Sequence, residues 1–205
     1  MDLVQLFSSA LGLGFIAGIR LYATVFMLGA AIRFEWLTLS PGQQHWRVLG
    51  DPVVLGAAGV LFLIEFVADK VPWLDSLWDA LHTFIRPVGA AVLGGVILGE
   101  ASPAMQMVIW LLCGGVALTS HSSKAATRLA VNQSPEPFSN IVLSLLEDAF
   151  SLFAVWLAVK HTLLMLILLG IFFGLFIWLA PKIYRRMKHE LRALRTWLFQ
   201  PRRTG

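Results

Sequence analysis

The chain has 205 residues, of which 58% are hydrophobic and 14% are charged, and its mean hydropathy is +0.75. This composition excludes an ordinary soluble domain and indicates an integral membrane protein, because the apolar residues lie in blocks that approach the about 20 residues a membrane-crossing helix needs. The net charge of +4 does not indicate a nucleic-acid partner, since the basic residues concentrate in one tail, Lys182–Arg203.

Six apolar stretches are candidates for membrane crossings, and five crossings or re-entrant hairpins are the rival prediction. The six are Leu3–Ile32, Val53–Ala68, Leu74–Leu98, Ala104–Thr119, Phe138–Val159 and Thr162–Ala180. The sequence therefore predicts an all-α, polytopic membrane helix bundle of about six crossings in residues 1–181, followed by a basic tail in residues 182–205.

The basic tail predicts the orientation of the protein. Lys and Arg near membrane ends favour the cytoplasmic side, so we expect a cytoplasmic C-terminus. The tail then lies on anionic lipid as an amphipathic helix, or acts only as a topogenic signal. Six crossings place the N-terminus on the same side, with the loops near Lys70 and at 124–137, and place the loop at 33–52 on the other side.

The first apolar stretch carries Arg20 near its centre, where a guanidinium cannot easily reach either interface. Such a group needs a partner inside the bundle, and the acidic residues between positions 65 and 79 are the candidates. Gly12, Gly14 and Gly18 predict a small-residue face for close helix packing. A phosphate-binding glycine loop would need a strand-turn-helix context, which is absent here.

The stretch from Glu65 to Pro87 holds seven ionisable residues between two apolar runs. Pro72 predicts that one helix ends near Lys70 and the next starts near Trp73. Helical spacing places Glu65 and Asp69 on one face of the first helix, and Asp75, Asp79, His82 and Arg86 on one face of the second. Charge inside a membrane normally marks a functional path, so this stretch is the first candidate site.

A second polar pattern repeats the order of the first, with a polar helix, a break at proline and another polar helix. His121, Lys124 and Arg128 share a face of the fourth helix, two prolines follow, and Asn140 and Glu147 share a face of the fifth with Ser144 and Ser151. Residues 53–99 and 104–159 thus predict a weak internal repeat of two proline-broken hairpins. The first incoming helix is acidic and the second is basic, as if they face each other across a shared site, which is a recurring transporter design.

Five groups of motifs stand out along the chain. They are G-I-R-L-Y at 18–22, E-F-V-A-D-K-V-P-W-L-D-S-L-W-D at 65–79, R-P-V-G-A at 86–90, H-S-S-K-A-A-T-R at 121–128, and N-Q-S-P-E-P-F-S-N with S-L-L-E-D within 132–148. These motifs resemble those of a bacterial family of small integral membrane proteins catalogued only as a domain of unknown function. The resemblance covers most of the chain. It implies a multi-pass protein of the bacterial inner membrane and supplies no activity.

The first functional hypothesis is a transporter or channel for a small charged solute or an anionic lipid head group. A phosphate or carboxylate would compete for the Arg and Lys donors, and anionic ligands are the first choice. A cation would compete for the acids, and His82 or His121 would couple exchange to protons. The candidate binding residues are Arg20, Glu65, Asp69, Lys70, Asp75, Asp79, His82, Arg86, His121, Lys124, Arg128, Asn140 and Glu147.

Two alternatives stay open. A membrane-embedded phosphoryl or prenyl transferase would hold Mg²⁺ on the carboxylate pairs at positions 65 and 69 and at 75 and 79, but the denser acidic motifs of such enzymes are missing. In a purely structural protein, buried charge pairs would only fix helix register. No cofactor and no transition metal is expected, because no His or Cys ligand pair occurs. The glycine-rich faces are compatible with a homodimer.

Overall fold

The computed structural model describes residues 3–131 and 137–199, except for the side chains of residues 72, 129–131, 137, 140 and 183–199. Within that part of the chain all regular structure is helical. The elements are α1 (Leu3–Arg33), a 3-10 helix (Pro41–Gly50), α2 (Pro52–Ala68), α3 (Pro72–Leu98), α4 (Pro103–Val131), α5 (Pro137–Lys160) and α6 (Thr162–Phe199). The all-α prediction is confirmed.

Prolines mark the starts of four helices, namely Pro52 in α2, Pro72 in α3, Pro103 in α4 and Pro137 in α5. Proline suits a first helical turn because its ring fixes φ near the helical value and its missing N–H has no partner there. In front of α2, the Asp51 carboxylate accepts a hydrogen bond from the backbone N–H of Val53 at 2.8 Å. The predicted break before Trp73 is confirmed, because α2 ends at Ala68 and α3 begins at Pro72.

By length and composition alone, and with α1 counted as one helix, five of the described helices could cross a bilayer, and the bent pair formed by the 3-10 helix and α2 (59°) is a sixth candidate. These numbers agree with the predicted polytopic bundle of about six crossings. The predicted spans match the helices closely except in the sixth and the fourth. The sixth helix continues beyond Ala180 to Phe199, and the fourth continues beyond Thr119 to Val131. That extension carries the polar face of His121, Lys124 and Arg128.

The sequence predicts one unbroken helix over Leu3–Ile32, and the structure interrupts it at Arg20. Arg20 has extended backbone angles (φ −145°, ψ 79°), which separate a first arm, residues 3–19, from a second arm, residues 21–33. At a rise of about 1.5 Å per residue the arms are about 25 and 20 Å long. Each arm is therefore shorter than the about 20 residues of a full membrane crossing.

The two arms of α1 run in opposite directions along α5. Ser9 on the first arm donates a hydrogen bond to the carbonyl of Ala158 in the last turns of α5 (3.0 Å). Arg20 reaches the carbonyl of Ser144 in the first half of α5 (3.1 Å). Phe34, just beyond the second arm, lines a cavity together with Val159, again in the last turns of α5. The chain therefore reverses at Arg20.

The two ends of the bundle differ in chemistry because of this reversal. One end, called the loop end here, holds both outer ends of α1 and the 3-10 helix, where the Trp46 indole N–H donates to the carbonyl of Ile97 (3.0 Å). The other end, called the cluster end, holds Arg20 and the break after α2, where Arg128 of α4 donates to the carbonyl of Asp69 (3.1 Å). The N-terminal end of α1 thus lies at the opposite end of the bundle from the break at Lys70, whereas an unbroken first helix would bring the two to the same end.

Gly18 allows α1 and α4 to approach closely, as the predicted small-residue face requires. A Cβ atom at Gly18 would collide with the backbone of Ala117 and with the hydroxyl of Ser120. The absence of a side chain lets the Ser120 hydroxyl donate to the carbonyl of Phe15 at 2.8 Å. This contact fixes α4 against the first arm of α1 just before Arg20.

The chain divides into two compact units, and the boundary lies between Leu166 and Ile167. The bundle contacts described above belong to the first unit. In the second unit the backbone of α6 continues through Pro181 to Phe199, so the predicted start of the tail at residue 182 falls inside a helix. The amphipathic face predicted for the tail concerns side chains outside the described part of the chain.

Candidate functional site

Charged side chains from five segments meet at the cluster end of the bundle. Together they form the charge cluster, which consists of Arg20, Glu65, Asp69, Asp75, Asp79, Arg86, Lys124, Arg128, Glu147 and Asp148. Each member lies within 4.0 Å of an opposite charge, and the pairs join into one network. Only Glu147 and Asp148 keep noticeable exposure, with 12% and 16% of their side-chain surface accessible.

Helical spacing explains why these residues converge. On α3, Asp75, Asp79 and Arg86 follow each other at intervals of four and seven residues and occupy one buried face. Lys124 and Arg128, which are four residues apart, likewise occupy one buried face of α4. The faces predicted from the sequence are therefore the faces that turn inward, and the break before Pro72 brings the end of α2 to the same place.

Arg20, Lys124 and Arg128 surround the same two carboxylate oxygens, and we call these three residues the three-cation cradle. Glu147 Oε2 lies 2.7 Å from an Arg128 nitrogen and 3.5 Å from a nitrogen of each of the other two cations. Asp69 Oδ2 pairs with Arg20, lies 3.2 Å from Lys124 Nζ and lies 3.5 Å from Arg128. The cradle thus holds an inner carboxylate, Asp69, and an outer one, Glu147.

Arg86 bridges two further carboxylates beside the cradle. Its guanidinium donates to Glu65 at 2.7 Å and to Asp79 at 3.2 Å. Within the described structure, Glu65 Oε2, Asp79 Oδ2 and Arg86 Nε are buried without a hydrogen-bond partner. Buried polar atoms of this kind are normally satisfied by water or by a ligand. The part of the cluster around Arg86 therefore retains hydrogen-bonding capacity.

The hydrogen bonds of His121 fix its tautomer. Its Nδ1 lies 2.7 Å from a nitrogen of Arg86, which can only donate, so Nδ1 accepts. Its Nε2 lies 3.1 Å from the carbonyl oxygen of Asp79, which can only accept, so Nε2 carries the hydrogen. His121 is thus a neutral link between α4 and α3, and a second proton would break its bond to Arg86.

His82 is held in a similar way at the edge of the cluster. Its Nδ1–H donates to the carbonyl of Trp78 (2.8 Å), and its Nε2 lies 3.1 Å from the hydroxyl of Tyr22 on α1. The imidazole also stacks on the Trp78 ring. These contacts use both ring nitrogens, so neither predicted histidine is arranged as a metal ligand.

Asp69 and Lys70 lie at the break between α2 and α3. Their surroundings favour the charged form of Asp69 and disfavour the charged form of Lys70. Burial alone raises the pKa of Asp69, but the three-cation cradle and Arg86 outweigh burial and hold the pKa below its ordinary value of 3.8. Burial lowers the pKa of Lys70, although Asp148 opposes that shift. The Lys70 ammonium donates to the carbonyl of Phe66 (2.9 Å) and lies over its ring. Asp69 is therefore held by the three-cation cradle, whereas Lys70 lies at the margin of the charge cluster.

The cluster is enclosed by the surrounding helices. Cavities of about 500, 400 and 390 Å³ lie on other parts of the molecule, and no charge-cluster residue lines any of these three. The first lies at the loop end beside Arg33 and Arg47, and the second is an apolar crevice between α1 and α5. In the part of the chain that the structure describes, the charges of the cluster are therefore balanced by each other.

The structure brings most of the predicted site residues together. Of those thirteen residues, Lys70 lies at the margin of the cluster, and the side chain of Asn140 is outside the described part of the chain. The list of predicted binding residues omitted three residues that contact the site: Asp148 lies 3.2 Å from Arg20, Ser144 lies 3.1 Å from Arg20, and Tyr22 lies 3.1 Å from His82. Ser144 could have been predicted, because it lies on the polar face that the sequence predicts for α5.

The acidic residues do not form a metal site. Among the described residues there is no group of three or more His, Cys, Asp or Glu side chains placed to hold a metal ion. Each carboxylate of the proposed Mg²⁺ pairs instead faces a cation, as Glu65 faces Arg86 and Asp75 faces Arg128 at 3.8 Å. The donor set therefore does not fit the transferase alternative.

A family described as "Domain of unknown function (DUF4126)" matches residues 7–182, so the chain belongs to this family. No curated protein and no solved structure was found to match the chain.

Proposed function

We propose that this member of the family is a membrane transporter or channel for a small charged solute or an anionic lipid head group, and that the charge cluster is its binding site. We regard the enclosed arrangement as the closed state of that site. In this proposal the ion pairs between helices exchange for pairs with the substrate during opening. The protein then works as a multi-pass protein of the bacterial inner membrane with a cytoplasmic C-terminus, as the basic tail predicts.

The observation that carries the proposal is that two backbone interruptions meet at one charge cluster. α1 is broken at Arg20, and the chain is broken again between Asp69 and Pro72. Non-helical backbone at membrane depth is tolerated where it is buried in protein or lines a polar path. Transporters place their binding sites at such broken helices. A protein that needs only stable packing has no use for two interruptions at its most polar point.

The side chains of the cradle favour an anionic substrate. Arg20 and Arg128 offer planar groups that bind carboxylate and phosphate through two parallel hydrogen bonds, and Lys124 adds a third positive charge. Three cationic side chains around one carboxylate oxygen are the kind of site that an external anion also fits. The histidines contribute less to anion binding, because the neutral His121 ring already accepts a hydrogen bond from Arg86.

A structural role is the second candidate, and the close pairing of the cluster supports it. Every member of the cluster has an opposite charge within 4.0 Å, so the network also fixes the register of the helices. Buried ion pairs contribute little net stability compared with apolar packing. A cluster of ten charges therefore needs a further reason, and substrate binding supplies one.

The test is uptake by proteoliposomes across a panel of organic anions, phosphates and cations. We compare the wild type with Arg20→Ala and Asp79→Asn, and use Arg47→Ala, at an exposed position of the loop end, as the matched control. We expect saturable uptake of an anion by the wild type and the control, and its loss in both cluster variants. Equal uptake in all four proteins would exclude this site, and no uptake of any solute would leave the structural role in its place.

A further inference from the structure

Glu147 occupies the three-cation cradle in the way a bound ligand would. Its Oε2 atom alone contacts Arg128 at 2.7 Å and both Arg20 and Lys124 at 3.5 Å. The neighbouring Asp148 pairs with Arg20 Nε at 3.2 Å. Both carboxylates come from the first half of α5, whereas every other acid of the cluster comes from α2, from α3 or from the break between them. One helix thus contributes a removable pair of negative charges.

Exposure distinguishes this pair from the inner acids. Glu147 and Asp148 retain 12% and 16% of their side-chain surface, whereas the side chain of Asp69, on the inner side of the same cations, is completely buried. A molecule that approaches the cluster from outside therefore meets the exposed parts of these two side chains first, although both carboxylate oxygens of Asp148 are themselves buried. Displacing them opens the cradle without disturbing the pair between Arg20 and Asp69.

The charges of the cluster indicate what would replace the pair. Without α5, four cations (Arg20, Arg86, Lys124 and Arg128) face four acids (Glu65, Asp69, Asp75 and Asp79). Glu147 and Asp148 add two negative charges. A ligand that takes their place without changing the net charge must also carry two negative charges. A phosphate monoester has a charge of about −1.5 to −2 at neutral pH and three oxygens that accept hydrogen bonds from several cations.

We propose that Glu147 and Asp148 form an internal substitute for the substrate, and that the substrate itself is a phosphate monoester that displaces them from the three-cation cradle. This inference rests on the proposed function and specifies its substrate class and its closed state. The phosphate is carried by a soluble molecule or by a lipid head group, and both would present the same group to the cradle. Displacement of the pair removes the ion pairs that join α5 to Arg20 and Arg128 and leaves the hydrogen bonds from Arg20 to Ser144 in place.

Binding measurements on the purified full-length protein test the substitution directly. We compare the wild type with Glu147→Gln/Asp148→Asn, and use Glu100→Gln as the control for charge, because Glu100 is exposed and follows Gly99, which lies against His45 at the loop end. The probes are glycerol phosphate as the soluble monoester and vesicles that contain phosphatidic acid as the lipid monoester. Dimethyl phosphate and phosphatidylglycerol serve as the matching diesters, each with a single negative charge.

We expect the double variant to bind at least one monoester about tenfold more tightly than the wild type, because a competing charge-assisted contact is removed. We expect no change in the control and weaker binding of the diesters in every protein. The arm that responds, soluble or lipid, identifies the source of the phosphate. Equal or weaker monoester binding by the double variant would overturn the proposal.

A second measurement needs no substitution and covers the case of a variant that does not fold. Carbodiimide modification of Glu147 in the wild type, followed by mass spectrometry, should accelerate when the monoester is present, while Asp69 stays unmodified. Unchanged protection of Glu147 at saturating monoester would contradict displacement. If this displacement occurs but proteoliposomes show no transport, the transport proposal fails while the internal substitute stands. If transport occurs without displacement of Glu147, only the proposal of an internal substitute fails.

Discussion

Arg20 and Asp69 form a fully buried ion pair that joins two interruptions of the backbone. Arg20 lies at the non-helical turn of α1, and Asp69 is the first residue after α2. The two residues lie far apart in the sequence, and both side chains are completely buried. The pair therefore fixes the place where the two arms of α1 meet the α2–α3 hairpin.

Loss of Arg20 should destabilise the fold strongly. Arg20→Ala removes the partner of Asp69 and Asp148 and leaves buried carboxylates with fewer cations, which costs about 3–5 kcal/mol in comparable buried pairs. Unfolding in detergent, followed by tryptophan fluorescence, measures the loss. The exposed Arg47→Ala should stay within about 0.5 kcal/mol of the wild type. Arg20→Ala/Asp69→Asn should be less destabilised than the sum of its single variants, and strict additivity would show that the two residues are not coupled.

Close packing at Gly18 should tolerate no side chain. In Gly18→Ala the new methyl group would meet the backbone of Ala117 and the Ser120 hydroxyl, and overpacking of this kind costs about 1–3 kcal/mol. Gly115→Ala on α4 is the matched control, because no atom lies within 4 Å of its added Cβ. The same unfolding assay compares the two variants. Equal stability would mean that α1 and α4 do not approach each other in this way.

The reversal of α1 predicts the side from which its two ends are reached. Leu3→Cys and Thr38→Cys place single thiols at the first residue of α1 and in the loop that follows it, both at exposed positions of the chain. A membrane-impermeant maleimide should label both from the same side of sealed vesicles. The native Cys113 is buried, so the unmodified chain gives the background. Labelling from opposite sides would show that α1 crosses the bilayer as one helix.

Acid should remove the contribution of Asp69 to stability. Its pKa in the folded protein lies below the ordinary 3.8, so folding is favoured by its ionised form. That contribution is fully present above the unfolded-state pKa and is lost as the pH falls through the lower, folded-state pKa. We expect the melting temperature of the wild type to exceed that of Asp69→Asn at neutral pH and the gap to shrink at pH values below 3.8. A difference in melting temperature that widens on acidification would contradict this prediction.

The sequence predicted the helices and their polar faces well, because apolar length, proline and helical spacing are local signals. Pro72 marked the break in the chain, and the intervals between Asp75, Asp79 and Arg86 marked the buried face of α3. The turn at Arg20 had no such signal, since arginine is a good helix former and no proline is near it. The break there depends on contacts with α4 and α5, which lie more than a hundred residues away along the chain.

The pairing of residues within the charge cluster also could not be predicted from the sequence. The composition of the polar stretches indicated that Arg20 needs an acidic partner, but not that Asp69 and Glu147 would share the same three cations. That arrangement depends on the reversal of α1, because the reversal brings Arg20 to the level of the break after α2. The histidines show the same limit, since only the structure reveals that Arg86 donates to His121.

Transport and folding of one variant, measured together, test the role of the charge cluster most directly. Lys124→Gln keeps a polar side chain of similar length but removes one cation of the cradle. We expect proteoliposomes with this variant to lose uptake of the phosphate monoester at least about tenfold, while the purified variant still shows cooperative unfolding. Uptake equal to that of the wild type in a folded Lys124→Gln protein would contradict a substrate site in the three-cation cradle.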